Sequence, residues 1–244
     1  AVSVTTSDAS VSYATTTRGS WTKIAATRTR DAHVLRVARV KGAFGIPAVT
    51  IGGTAGGLSA DGRTLVLSQP PSYQALRQRS RFVLLSTATL RPIRTISLRG
   101  DFGFDALSPD ATTLYLIQHR STSDPSYSVR AFDLRSLRLL PGAIVDKSEA
   151  DKTMRGMPVA RTASADAIWV YTLYNRDGAE PFVHALNTRE RYAVCVDLTW
   201  QGSAADIWNT TLEMSADGRQ LLVTSAKGAV VARVDTQTLR VVAT

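Results

Sequence analysis

One cysteine, Cys195, stands in a chain of 244 residues. A lone thiol excludes an intramolecular disulfide framework and every zinc or iron–sulfur site built on paired cysteines. Histidine is nearly as scarce: His33, His119 and His184 are the whole supply. A histidine-rich metal site is therefore not expected, and no cofactor or metal is assigned. No run approaches the roughly 20 apolar residues of a membrane helix, so no such span is expected. Sustained helical periodicity is missing too; only residues 148–154 read as a short helical turn. Lysine and glutamate are rare, with 5 Lys among 29 basic residues and 4 Glu among 20 acidic ones. That bias, with abundant alanine, reads as genome composition more than as chemistry.

What remains is ordinary globular material, 44% hydrophobic and 20% charged, long enough for one large domain or two small ones. The net charge is +9. Its basic residues are scattered, and only Arg77, Arg79 and Arg81 cluster, with Tyr73 and Phe82 nearby. Nucleic-acid proteins concentrate their charge on one face or helix, so the scatter weighs against such a partner. An acidic cell-surface polymer fits the same charge.

The informative feature is repetition. Ser59-Ala60-Asp61-Gly62-Arg63-Thr64-Leu65-Val66-Leu67 returns as Ser215-Ala216-Asp217-Gly218-Arg219-Gln220-Leu221-Leu222-Val223. Looser copies begin at Ser108 and Ser164, and a faint one at Thr6. Ser and Asp side chains bond nearby backbone N–H groups, Gly takes a positive φ, and the alternating run that follows is a strand. A second turn element follows the last four copies: Ser86-Thr87-Ala88-Thr89-Leu90, Asp133-Leu134-Arg135-Ser136-Leu137, Asn187-Thr188-Arg189-Glu190 and Asp235-Thr236-Gln237-Thr238-Leu239. The first copy lacks it. Each repeat thus reads as four antiparallel strands with a period near 50, which is one propeller blade. The expected fold is an all-β, five-bladed propeller in a single domain. Its blades lie near residues 1–52, 53–101, 102–157, 158–208 and 209–244. The ring would close by packing the first blade on the last, unless the chain is part of a longer array.

Ser-Ala-Asp-Gly-Arg-x-Leu-x-Val followed by Asp-Thr-x-Thr-Leu-x-Val resembles the repeats of YVTN-type β-propellers, a group that includes lactonase-like and surface-layer propellers. The resemblance spans nearly the whole chain. It implies the fold and leaves function open, because these residues build turns.

Both turn elements should share one propeller face. The other face carries the longer connections: residues 69–80, 118–128, 174–181 and 225–228 within blades, and 42–54, 99–104, 146–157 and 198–209 between them. Binding groups normally sit on such loops. The candidates there are Tyr73, Arg77, Asp101, His119, Arg155, Tyr174, Trp200, Asp206, Trp208 and Asn209. Trp200 and Trp208, with Asp206 and Asn209, could stack on a sugar or aromatic ligand, or could plug the loop. Trp21 and Trp169 lie on strand-like runs and are expected in the core. On the innermost strands, Asp105 and Arg161 occupy the same position, three before the turn Ser, and could pair at the axis. Glu213 is offset by one position, so alternation should turn it away.

The leading expectation is a non-enzymatic, extracytoplasmic binding or scaffolding module, taking a protein, glycan or small molecule at the long-loop face. The location rests on the Ser/Thr-rich start and the want of cysteine pairs. The alternative is a lactonase-like or glycosidase-like hydrolase using Asp105, Arg161 and Glu213 at the axis. An anionic-polymer or nucleic-acid binder is the second alternative.

Overall fold

A computed structural model describes residues 2–72, 75–123, 126–146, 154–176, 179–200 and 205–242. Five antiparallel sheets follow one another along the chain. Sheet 1 is β1 (Ser3–Thr5), β2 (Val11–Arg18), β3 (Trp21–Arg28) and β4 (Val34–Lys41). Sheet 2 is β5 (Thr64–Ser68), β6 (Arg79–Ser86) and β7 (Pro92–Arg99). Sheet 3 is β8 (Asp101–Leu107), β9 (Thr113–His119), β10 (Tyr127–Asp133) and β11 (Arg138–Leu139). Sheet 4 is β12 (Met157–Ala163), β13 (Trp169–Asn175), β14 (Phe182–Asn187) and β15 (Tyr192–Asp197). Sheet 5 is β16 (Thr211–Met214), β17 (Gln220–Thr224), β18 (Val230–Asp235) and β19 (Arg240–Val242). Strand order within each sheet is sequential, which is the blade pattern of a β-propeller.

The first turn of every blade is the same device. Ser59 Oγ donates to Asp61 Oδ1 at 2.6 Å and accepts from Thr64 N–H at 2.9 Å, while Asp61 Oδ1 accepts from Arg63 N–H at 3.0 Å. Ser215 and Asp217 repeat it, as do Ser108 with Asp110, Ser164 with Asp166, and Thr6 with Asp8. The next residue takes a left-handed φ: +68° at Gly62 and +71° at Gly218, but also 55° at Ala9, 52° at Ala111 and 55° at Ala167.

The second turn lies against the first. Thr87 Oγ1 donates to Gly62 O at 2.7 Å, Thr236 Oγ1 to Gly218 O at 2.9 Å and Thr188 Oγ1 to Ala167 O at 3.1 Å. Blade 1, read from sequence as lacking this turn, has one between β3 and β4. There Thr29 Oγ1 bonds Ala9 O, and Ala32 takes a φ of 54°. Asn187 replaces Asp without loss, its Oδ1 accepting from Arg189 N–H and Glu190 N–H at 3.1 and 2.8 Å.

Sheet 2 lacks a regular innermost strand. Its segment makes isolated bridges instead, Leu58 to Leu65 and Ala55 to Ala48. Crowding explains the glycines here. A Cβ on Gly57, where φ is +92°, would meet Val66 O at 2.5 Å, and one on Gly56 would meet Phe104 and Val49 at 2.8 Å.

Apolar side chains fill each junction between successive blades. Ile24, Leu65 and Leu67 pack between blades 1 and 2, and Val66, Phe82 and Phe102 between 2 and 3. Tyr115, Val129 and Phe182 pack between 3 and 4, and Leu173, Val183 and Leu221 between 4 and 5. Each such burial contributes about 1.5–3 kcal/mol. Among the described residues, no such cluster joins blade 5 to blade 1. Trp169 packs as expected, stacked on Tyr171. Trp21 does not: its side of β3 faces away from the core, and it is 49% exposed. Among the described residues, no helix is long and apolar enough to cross a membrane. The turn at 148–154 has its residues 148–153 outside the described residues.

Candidate functional site

Propeller strands end alternately on two faces, so the long-loop face collects the start of β8, the end of β9, the start of β10, the end of β13 and the start of β14. Cross-strand register then sets Asp101 opposite His119, and His119 opposite Tyr127. Tyr174 likewise lies opposite Phe182. Asp101 and His119 are therefore strand residues and not loop residues. The 99–104 connection is a single residue, Gly100, since β7 ends at Arg99 and β8 starts at Asp101.

Arg77 reaches Asp101 from the preceding blade. Its Nε donates to Asp101 Oδ1 at 2.7 Å, its backbone N–H to Oδ2 at 3.3 Å, and a terminal nitrogen to Phe102 O at 2.9 Å. The Asp101 side chain is only 5% exposed. Burial lowers the His119 pKa; Asp101 opposes that shift and Arg77 adds to it.

From His119 a series of rings crosses to blade 4. His119 and Tyr127 have centroids 5.9 Å apart, Tyr127 and Tyr174 6.0 Å, and Tyr174 and Phe182 are stacked at 5.1 Å. Arg176 closes the series, its guanidinium 4.1 Å over Phe182 and 2.5 Å from Asp197.

A buried polar row starts on the innermost strands β8 and β12 and runs outward across sheet 4. A β-bulge at Phe104/Ala106 makes Asp105 the extra residue of β8 and turns it toward blade 4. There it pairs with Arg161. Arg161 also donates to Asp105 O at 2.5 Å and to Thr172 Oγ1 at 2.9 Å. Register continues the row across sheet 4 from Arg161 to Thr172, His184 and Cys195. Cys195 N–H donates to Asp146 Oδ2 at 2.8 Å. Burial lowers the His184 pKa to about 4 against its ordinary 6.5, and holds that of Tyr174 at about 12. Among the described residues, the buried His184 Nε2 has no hydrogen-bond partner. Within this row Asp105 and Arg161 were singled out from sequence, but Thr172 and the interior His184 were not, although His184 stands between Val183 and Ala185 on a largely apolar strand.

The other candidates stand apart. Residues 206–209 form a 3₁₀ turn anchored by buried Ile207. Asp206, Trp208 and Asn209 are exposed on it, Trp208 at 42%. Trp200 packs instead against the core between blades 4 and 5, and its backbone N–H donates to Glu180 Oε2 at 2.8 Å. The two tryptophans thus have different environments. Arg155 is exposed. Glu213 is exposed and lies opposite Leu222, on the side of β16 away from the buried Leu212. Tyr73 lies outside the described residues, as do parts of three connections, residues 147–153, 177–178 and 201–204.

No family model and no curated protein matches the chain. Solved structures do. It is similar to the β-propeller domain of Myceliophteria thermophila Cps50 (Swd1), at 14% identity and a TM-score of 0.54, over 92% of this chain and 63% of that one. TolB from Acinetobacter baumannii matches at 12% identity and 0.52, over 99% of this chain and 55% of its own. A functionally unknown protein from Desulfotomaculum acetoxidans matches at 14% and 0.58, over 100% and 68%. The chain therefore spans a little over half the length of the first two. At these identities the likeness establishes the β-propeller fold.

Proposed function

We propose that this propeller is a non-enzymatic, extracytoplasmic binding module of YVTN-type repeats that takes a glycan on its long-loop face. The observation that carries the reading is the 3₁₀ turn at 206–209. It is fixed by Ile207 and presents an exposed indole between two exposed polar side chains. A flat aromatic face flanked by hydrogen-bonding groups matches the alternating apolar and hydroxyl surfaces of a sugar ring.

The two buried carboxylates near the axis support binding over hydrolysis. Asp101 is held by Arg77 and Asp105 by Arg161. A carboxylate engaged by a guanidinium is occupied in that pair, whereas glycoside cleavage needs two carboxyl groups facing the substrate as acid and as base or nucleophile. The reading is tested by titrating neutral and acidic oligosaccharides against wild type and Trp208→Ala. Binding that disappears in the variant at an unchanged Tm supports it. Retained binding, or a large loss of Tm, overturns the role of Trp208. Turnover of lactones, esters or aryl glycosides that Asp105→Asn removes would establish the hydrolase instead.

A further inference from the structure

Sheet 1 has one face packed against blade 2, carrying Tyr13, Ile24, Ala26 and Val40. Its opposite face is covered by no apolar cluster of the described residues. Register defines that face in rows. Trp21 lies opposite Arg18 and Lys41, Lys23 opposite Arg39, and Ala25 opposite Val37. Two rows are thus cationic around one indole, and the next is aliphatic. Trp21 is 49% exposed and Val37 47%. None of the four cations forms an ion pair among the described residues.

This face differs from those that receive another blade within the chain. Blades received elsewhere in the molecule present Leu65 and Leu67, or Leu221 and Val223, at the junction. Burying Lys23 and Arg39 beneath such a surface would leave their charge uncompensated. A second copy stacked through its last blade would bring Arg233, which lies opposite Leu222 on the side of sheet 5 away from its core, onto the same cations.

We infer that the open face of sheet 1 is a docking surface for an acidic protein. Carboxylates on the partner meet Arg18, Lys23, Arg39 and Lys41, and aliphatic side chains meet Ala25 and Val37. Trp21 sits between the two zones as an aromatic anchor, the residue type enriched at interface centres. The aliphatic row favours a polypeptide over a nucleic acid, whose phosphate chain has nothing apolar to set against Val37. The surface is distinct from the long-loop face and does not depend on that reading.

The test uses a fluorescently labelled 16-residue peptide of alternating glutamate and valine, and an oligothymidylate of equal charge, followed by anisotropy at low salt. Wild type should bind the peptide. Lys23→Glu/Arg39→Glu should weaken it at least tenfold and Val37→Ser about fivefold, with Tm unchanged in both. Absence of peptide binding, or binding indifferent to the charge reversal, overturns the inference. Oligothymidylate that binds more tightly and ignores Val37→Ser would make the face a polyanion site. Sedimentation showing self-association lost on charge reversal would assign it to a second copy. Either result overturns the acidic-protein reading.

Discussion

Replacing Asp105 with Asn tests whether the inter-blade ion pair holds blades 3 and 4 together. The two side chains are 3% and 11% exposed, so solvent screens them little. Asn keeps the shape and an acceptor oxygen but removes the negative charge opposite the Arg161 guanidinium, which retains its bonds to the residue 105 carbonyl and Thr172 Oγ1. Removing one member of a buried pair costs about 3–5 kcal/mol, because the remaining charge is stranded. The residual bonds place this case near the lower figure. At roughly 2–4 °C per kcal/mol for a chain of this size, Tm should fall by roughly 6–12 °C. Urea denaturation and calorimetry of Asp105→Leu, Arg161→Met and the double variant Asp105→Leu/Arg161→Met give the full cycle, with Asp105→Asn as the isosteric single. The double variant should recover most of the loss, since an apolar replacement strands no charge. A single-variant loss below about 1 kcal/mol, or a double variant as poor as the sum of the singles, would refute the reasoning.

Three further outcomes follow from the turns and the core. Ala111→Gly and Ala167→Gly should each stabilise by about 1 kcal/mol in thermal melts, because alanine at a left-handed φ carries a cost of roughly 1–2 kcal/mol that glycine avoids; Gly62→Ala, whose new Cβ would meet nothing closer than 3.9 Å, should lose a similar amount through φ alone. Acid should unfold the protein in two stages. His184 has a folded pKa lowered to about 4 by burial, against the raising effect of Asp105 and Asp146. The unfolded chain therefore binds the extra proton first, and stability falls from about pH 6.5 down to pH 4 by about 3 kcal/mol; His184→Phe should flatten that segment. Below pH 4 the turn carboxylates take over. Hydrogen bonds from Thr6 and Ser59 lower Asp8 and Asp61, as those from Ser164 and Ser215 lower Asp166 and Asp217. Their contribution is present above the ordinary carboxylate range and is lost as pH drops through the lowered values.

The blade turns were legible in the sequence because each one keeps its bonding groups at fixed offsets, Ser to Asp at two and Ser to the strand N–H at five. The Asp105–Arg161 pair was legible for the same reason, both lying three residues before a turn Ser. Features that do not recur at fixed offsets from the repeated turns were not. The turn after β3 has no leading Asp and is tied by Thr29 to Ala9, so nothing local marked it. Asp101 was read as part of the connection 99–104; its strand pairing with β9 and its bond to Arg77 are tertiary. Trp21 was placed in the core because it lies on a strand-like run, and only the register of β2, β3 and β4 shows which side of the sheet it occupies.

The central claim is that the turns build one face and binding occurs on the other. Hydrogen–deuterium exchange with and without the oligosaccharide selected by the Trp208 titration tests it directly. The account predicts protection at residues 205–209 and neighbouring long-loop segments, with the turns at 59–62, 108–111, 164–167 and 215–218 unchanged. Protection centred on those turns would contradict it.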